Sequence, residues 1–241
     1  ASESKPDTLY SSLYLAYSYP IGINAPDFFK QYALVTSSNK HVLKPNPAIG
    51  IGYKYQVGDV SRIGIFFNWY YTRFSDSFHQ KIYPNNEESP QRFLIEELEI
   101  DNKIFFLTYD YCPYIYKQFH SYIAIGAGVN YSNISWHEEI VSPLPNDLRT
   151  TGSRLDDHFF SFSSRVALGV ELGWDKRNAS SILGDLILEA AYTAEWRYIT
   201  MFRDFEDQFI EPPSYTKNKY RVIPHYFTLS LAVSLNLMQV L

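Results

Sequence analysis

Between Ile223 and Leu237 the chain alternates with a period of two. Ile223, His225, Phe227, Leu229, Leu231, Val233, Leu235 and Leu237 share one strand face, and all but His225 are apolar. The opposite face carries Tyr226, Thr228, Ser230, Ala232, Ser234 and Asn236. A helix would scatter both sets around its circumference, whereas a strand sends successive side chains to opposite faces. One side of this strand meets an apolar medium and the other a narrow, mildly polar space. Any fold for the chain has to supply both.

The same alternation predicts strands over roughly 9–19, 47–57, 62–74, 94–112, 120–136, 158–174 and 182–202. Ile49, Ile51, Tyr53 and Tyr55 oppose Gly50, Gly52, Lys54 and Gln56; Ile123, Ile125, Ala127 and Val129 oppose Ala124, Gly126, Gly128 and Asn130. In the strands at 158–174 and 182–202 charge falls on one face alone, at Arg165 and Glu171 and at Asp185, Glu189, Glu195 and Arg197. The strand at 94–112 conflicts with itself, because Leu98 and Ile100 favour even positions outward while Phe105, Leu107, Tyr109 and Tyr111 favour odd ones. A bulge near Asn102 and Lys103 would reconcile its halves by inserting one residue. Long polar connections at about 20–46, 75–93, 137–157 and 203–220 alternate with short links at 57–61, 113–119 and 175–181. Four connections against three is what eight up-and-down strands require. The expectation is an all-β chain of 241 residues forming a single eight-stranded antiparallel barrel domain.

Two barrels of opposite polarity could use these strands. A soluble barrel would turn the Leu, Ile and Val rows inward and leave Ser, Thr and Asn in water. Eight inward rows of branched apolar side chains do not fit so narrow a lumen, whereas Gly, Ala and Ser rows do. Lys54, Arg165, Glu171, Asp185, Glu189, Glu195 and Arg197 can pair across such a lumen. Facing lipid, a midplane Arg or Lys loses about 2–4 kcal/mol. Aromatics make up 17% of the chain, and in a membrane barrel they gather at the two interfaces. Trp69, Tyr71, Trp196 and Tyr198 would form the outer girdle, and Tyr53, Tyr55, Tyr109, Tyr111 and Trp174 the periplasmic one. The mean hydropathy of -0.24 is no obstacle, since only alternate residues of a membrane strand face lipid.

With apolar rows outside, small rows inside and alternating long and short connections, the chain resembles the small eight-stranded outer-membrane barrels of the OmpA, OmpX and OmpW kind over essentially its whole length. The end of its last strand also resembles the assembly signal those barrels present to their insertion machinery, carried here by Ser230, Ala232, Leu235 and Leu237. It departs from that pattern with Ala232 where Gly is common and with an end, Met238 to Leu241, that lacks an aromatic. The resemblance implies a bacterial outer-membrane location as a mature form after signal-peptide removal. It also implies periplasmic termini, extracellular long connections, and contact with outer-membrane lipid and lipopolysaccharide.

Chemistry is sparse. No motif of recognised catalytic, cofactor or metal-binding spacing occurs, so no catalytic, cofactor or metal residue is expected. Cys112 is the single cysteine and forms no disulfide within the chain. A net charge of -5 without any basic run argues against nucleic acid. His79, His137 and His158 lie in or beside the long connections and His120 at a periplasmic turn, where each is expected as a surface histidine; at His225, near the outer end of the last strand, a His–Ser pair could attack a lipid ester. The leading expectation is a non-enzymatic accessory or structural subunit that contacts another protein through its aromatic-containing loops or outer wall. A rim-located lipid A acyl hydrolase or acyltransferase and a narrow channel for small apolar solutes are the alternatives.

Overall fold

The computed structural model describes residues 11–26, 29–30, 43–81, 86–116, 119–142, 152, 154–173, 183–202 and 217–235. Alternation is expressed as eight long strands: β1 (Ser12–Asn24), β2 (Ala48–Gly58), β3 (Ser61–Lys81), β4 (Gln91–Tyr116), β5 (Phe119–Ser142), β6 (Arg154–Gly173), β7 (Leu183–Phe202) and β8 (His225–Leu235). Each pairs antiparallel with its sequence neighbour, and β8 also pairs with β1, so the sheet closes on itself. Two short pieces flank this ring: Lys44–Pro45 lies against Thr72 and Arg73, and Lys217–Val222 pairs with Arg197–Phe202 of β7.

Register fixes the geometry of closure. Following cross-strand neighbours from His225 through Ala194, Ser164, Ala127, Leu107, Ile65, Tyr53 and Leu13 returns to β8 at Leu235, ten residues further along. With a rise of about 3.3 Å and a strand spacing of about 4.8 Å, that shear tilts the strands by roughly 40° from the barrel axis. A row of neighbouring residues consequently climbs about 3 Å per strand from β1 towards β8.

Around the lower part of the barrel Leu15, Ile49, Ile65, Leu107, Ile125, Leu168 and Leu229 stand exposed on the outer face. The lumen is lined by Ala16, Ala124, Ala167, Ala191 and Ala232, with Tyr14, Phe66 and Tyr122 filling the space between. Small residues are what make room for those rings: a Cβ at Gly169 would collide with the ring of Tyr122. In β1 the pairing with β8 shifts between Ile21 and Asn24, where Gly22 adopts a φ of 64° and Ile23 turns inward. Only glycine takes that left-handed conformation without strain.

Higher up, the radial pattern reverses. β4 runs 26 residues without a bulge at Asn102 or Lys103: its pairing with β3 is unbroken from Ser61–Tyr111 to Lys81–Gln91, and every even position from Arg92 to Cys112 is buried. Leu98 and Ile100 point inward, contrary to the sequence expectation. The strand keeps its faces and changes its surroundings. Beyond the apolar belt the outer positions are Arg73, Glu97, Glu99, Asp101, His137 and Asp156, while Phe74, Leu98, Ile100, Ile134, Trp136 and Phe159 pack inside. Asp76, Arg92, Glu96 and Glu138 are buried among these apolar side chains, so the interior is mixed, but a charged outside around a mainly apolar inside is nearer the polarity of a soluble β domain. The upper wall, β3 to β6, is therefore an extension of the barrel with its own hydrophobic core.

That extension also corrects the expected connections. Residues 75–81, 91–93, 137–142 and 154–157, assigned to loops from their polar composition, belong to strands, and β1 continues past residue 20 to Asn24. In the connection from β3 to β4 the Asn86 side chain accepts a hydrogen bond from the Glu88 amide at 3.0 Å, a local Asx turn leading into β4.

Candidate functional site

Two regions concentrate polar chemistry: the lumen, and the outer wall just above the apolar belt. In the lumen the charges form tiers. At the lowest, Arg62 on β3 donates from both terminal nitrogens to Glu171 on β6, each at 2.7 Å, and reaches Asp110 on β4 at 3.3 Å. Lys54 on β2 lies 2.9 Å from Asp110 and 3.2 Å from Glu171. All four side chains are almost wholly buried, and their two positive and two negative charges balance. His120 sits beside Glu171, with Nδ1 3.9 Å from Oε2. The ammonium of Lys54 also lies 3.8 Å from the centroid of the Tyr122 ring, a cation–π contact strengthened by desolvation.

In the middle tier Arg165 pairs with Glu189, which also accepts from the Tyr122 hydroxyl at 2.9 Å. The Arg165 guanidinium packs 5.3 Å from the Phe66 ring centroid. At the top tier Glu195 accepts from the Tyr70 hydroxyl, from the Tyr226 hydroxyl at 2.7 Å and from the Asn130 amide at 3.0 Å. Above it the Asn102 amide donates to Thr72 at 3.4 Å and accepts from Ser132 at 2.8 Å. Side chains thus cross the lumen at three levels.

Of the interior charges expected from sequence, Lys54, Glu171, Arg165, Glu189 and Glu195 take part in these tiers. Asp185 is half-buried, its backbone N–H donating to Ser234 at 2.6 Å. Arg197 lies on β7, its side chain outside the described residues. Arg62 and Asp110 went unread in the sequence, and His120, expected as a surface histidine at a periplasmic turn, is instead buried beside Glu171. Their parity was the available signal: Arg62 shares a face with Gly64, Asp110 with Thr108, and His120 with Ala124.

The girdle residues Tyr55, Trp69, Tyr71, Tyr109, Tyr111 and Trp196 are exposed on the outer wall and Tyr53 partly so. Trp174 falls outside the described residues, as does the side chain of Tyr198. Tyr131 and Phe160, absent from the sequence assignment, join Trp69 at the upper edge, since Trp69, Lys103, Tyr131 and Phe160 occupy one register row. In β8, Ser230 meets Ser18 at 2.7 Å inside the lumen, Ala232 is buried there and Leu235 is partly exposed, with Leu237 beyond the described residues.

One row higher lie Tyr71, Asp101, Asn133 and His158, and above them Arg73, Glu99, Ser135 and Asp156. All of these except Arg73 line a cavity of about 290 Å³ that also takes in Ile134 and Asp157. Its acids are held in place. Asp101 accepts from Trp69 Nε1 and from Lys103, both at 2.5 Å; Glu99 meets Arg73 at 2.6 Å; and Asp156 accepts from Ser135 at 2.7 Å and Arg154 at 3.0 Å. The Ser135 hydroxyl, and after it Arg154, keeps the Asp156 carboxyl below the usual carboxylate range despite slight desolvation.

Register, shear and radial polarity define the class: a closed eight-stranded antiparallel barrel with an apolar outer belt and a filled polar lumen. No family model matches this sequence, and no curated protein does. Among solved structures the chain is similar to Neisserial surface protein A at 12% identity and a TM-score of 0.40, covering 94% of this chain and 96% of that one. It is similar to Ail, the attachment invasion locus protein of Yersinia pestis, at 11% identity and a TM-score of 0.37, covering 93% and 96%. For the outer membrane protease OmpT of Escherichia coli the values are 11%, 0.36, 97% and 99%.

Proposed function

We propose that this chain is a non-enzymatic barrel of the bacterial outer membrane, closed to solutes, that serves as an accessory or structural subunit contacting another protein through its outer wall. The observation that carries the membrane reading is the radial polarity. An apolar belt surrounds a lumen of paired charges, and the pattern inverts above Trp69, Tyr131 and Phe160, where the wall leaves lipid for water. In that orientation the ends of the barrel sequence lie on the periplasmic side, and the tall β3–β6 wall stands outside the cell. A partner would dock on this wall, which presents alternating charges on a preformed sheet.

Both alternatives fit the geometry less well. A channel needs a continuous path, and three tiers of hydrogen-bonded side chains cross this lumen. A lipid hydrolase needs a serine within reach of His225. The register neighbour of His225 on β7 is Ala194, and Ser164 lies one strand further away, about 10 Å at the usual strand spacing. Solubilised from native membranes in mild detergent, the protein should migrate as a complex larger than its 28.1 kDa chain. A lone monomer with no co-purifying protein would remove the subunit reading. Lipid A acylation unchanged in His225→Ala and in the loop-histidine variants, and liposomes whose flux of small apolar solutes is not raised by the protein, are the results expected if neither alternative holds.

A further inference from the structure

The pairing of β7 with the end of the chain keeps one register beyond the ring. His225 faces Ala194 and, past the interruption at Ile223 and Pro224, Val222 faces Arg197 and Arg221 faces Tyr198, so both pairings belong to one ladder. Its odd positions on β8 form the outward row, with Leu229, Phe227 and Ile223 exposed. Strand alternation continues that row through Arg221, Lys219 and Lys217, opposite Tyr198, Thr200 and Phe202. Above the belt the row thus changes from apolar to basic. The arm that Arg197–Phe202 and Lys217–Val222 build contains no acid.

The wall made by β4 and β5 has the opposite balance. Glu97, Glu99, Asp101 and Glu139 occupy its outward positions above the belt, and Arg73 and Lys103 pair with Glu99 and Asp101. Glu97 and Glu139 are exposed and have no ion pair among the described residues. Height matches as well as sign. With about 2.5 Å of axial rise per residue and about 3 Å per strand, Arg221, Lys219 and Lys217 stand roughly 22, 27 and 32 Å above the level of Leu107, and Glu97 and Glu139 about 25 and 33 Å.

Arm and wall lie on different sides of the ring, with β6 between them, so each is free to meet another molecule. The apolar belt holds every copy at one depth and in one orientation, which removes much of the positional freedom that association would otherwise cost. We infer that the partner at this wall is a second copy of the chain, the basic arm of one copy lying against Glu97 and Glu139 of the next in a head-to-tail contact. The inference rests on the subunit reading above and names its partner.

The test follows Förster transfer between donor- and acceptor-labelled full chains in phosphatidylcholine vesicles. Transfer should appear at low salt and fall at about 1 M salt, where the screening length is about 3 Å. E97K/E139K and K219E/R221E should each weaken self-association roughly tenfold, since exposed pairs turn from attraction to repulsion. Mixed together, the two variants should regain the parent affinity, because the reversed wall of one meets the reversed arm of the other. Asp59→Lys, in the β2–β3 turn at the opposite end of the barrel, should change nothing. No transfer in the parent, undiminished transfer in either variant, or a mixture no better than its components overturns the inference. A native complex built on a different protein overturns it too and leaves the subunit reading standing, whereas a lone monomer in native membranes removes both.

Discussion

Replacing Arg62 by Met tests whether the lowest tier of the lumen works as a single balanced unit. Both terminal nitrogens of Arg62 bind Glu171 at 2.7 Å, and one also reaches Asp110 at 3.3 Å, so the substitution leaves two carboxylates facing Lys54 alone. Breaking one side of a buried pair costs about 3–5 kcal/mol, most of it the penalty of an uncompensated charge. Glu171→Leu should cost a similar amount for the mirror reason. The double variant R62M/E171L retains Lys54 and Asp110, 2.9 Å apart and balanced, and should lose less than about 2 kcal/mol because apolar side chains replace the desolvated pair. Equilibrium urea unfolding of the refolded barrel, followed by tryptophan fluorescence and by mobility on unheated gels, supplies all three values. A single variant within about 1 kcal/mol of the parent, or a double variant equal to the sum of its singles, would refute the reasoning.

Leu98→Ala should destabilise by about 2–5 kcal/mol, as in the core of a soluble protein. Leu107→Lys, nine residues along the same strand but on the exposed outer face, should cost about 2–4 kcal/mol in a bilayer and close to nothing if that face met water; the same unfolding assay measures both variants. Gly169→Ala drives a methyl into the Tyr122 ring and should lose about 1–3 kcal/mol by overpacking, visible as a lower unfolding midpoint. Asp156 should titrate, by carboxyl NMR, below the ordinary Asp value of about 3.9, with Ser135→Ala raising its midpoint. Since the folded form holds that proton less tightly than the unfolded chain, its contribution to stability is present above the ordinary Asp range and disappears as pH falls through the folded midpoint; a midpoint unmoved by Ser135→Ala would deny that hydroxyl its role.

The lower barrel was legible because an apolar outer face and a narrow lumen impose one rule on every strand: a clean alternation of apolar and small residues, as in β2, β5 and β8. Above the belt that rule lapses. His137 and Glu139 of β5, or Arg154 and Asp156 of β6, read as loop because solvated strand faces and loops share a composition. Leu98 and Ile100 suggested a bulge only because apolar was equated with outward over the full length of β4. Arg62 and Asp110 were missed since each lies near a strand end, where charge is unremarkable until the ring closes and brings β3, β4 and β6 around one point. The rim cavity could not be read at all, as it joins residues of four strands through a register that sequence patterning does not supply.

Shear also determines width. Were β8 to meet β1 two residues out of register, every side chain would keep its inward or outward face, yet the change in tilt would alter the diameter by roughly 1–1.5 Å. Hydrophobic patterning is blind to such a slip. The Arg62–Glu171 contact reaches from β3 across to β6, and bonds of 2.7 Å do not survive a gap of that size. The charges inside the barrel therefore act as a gauge of its closure, penalising ring sizes that the apolar belt would accept equally well.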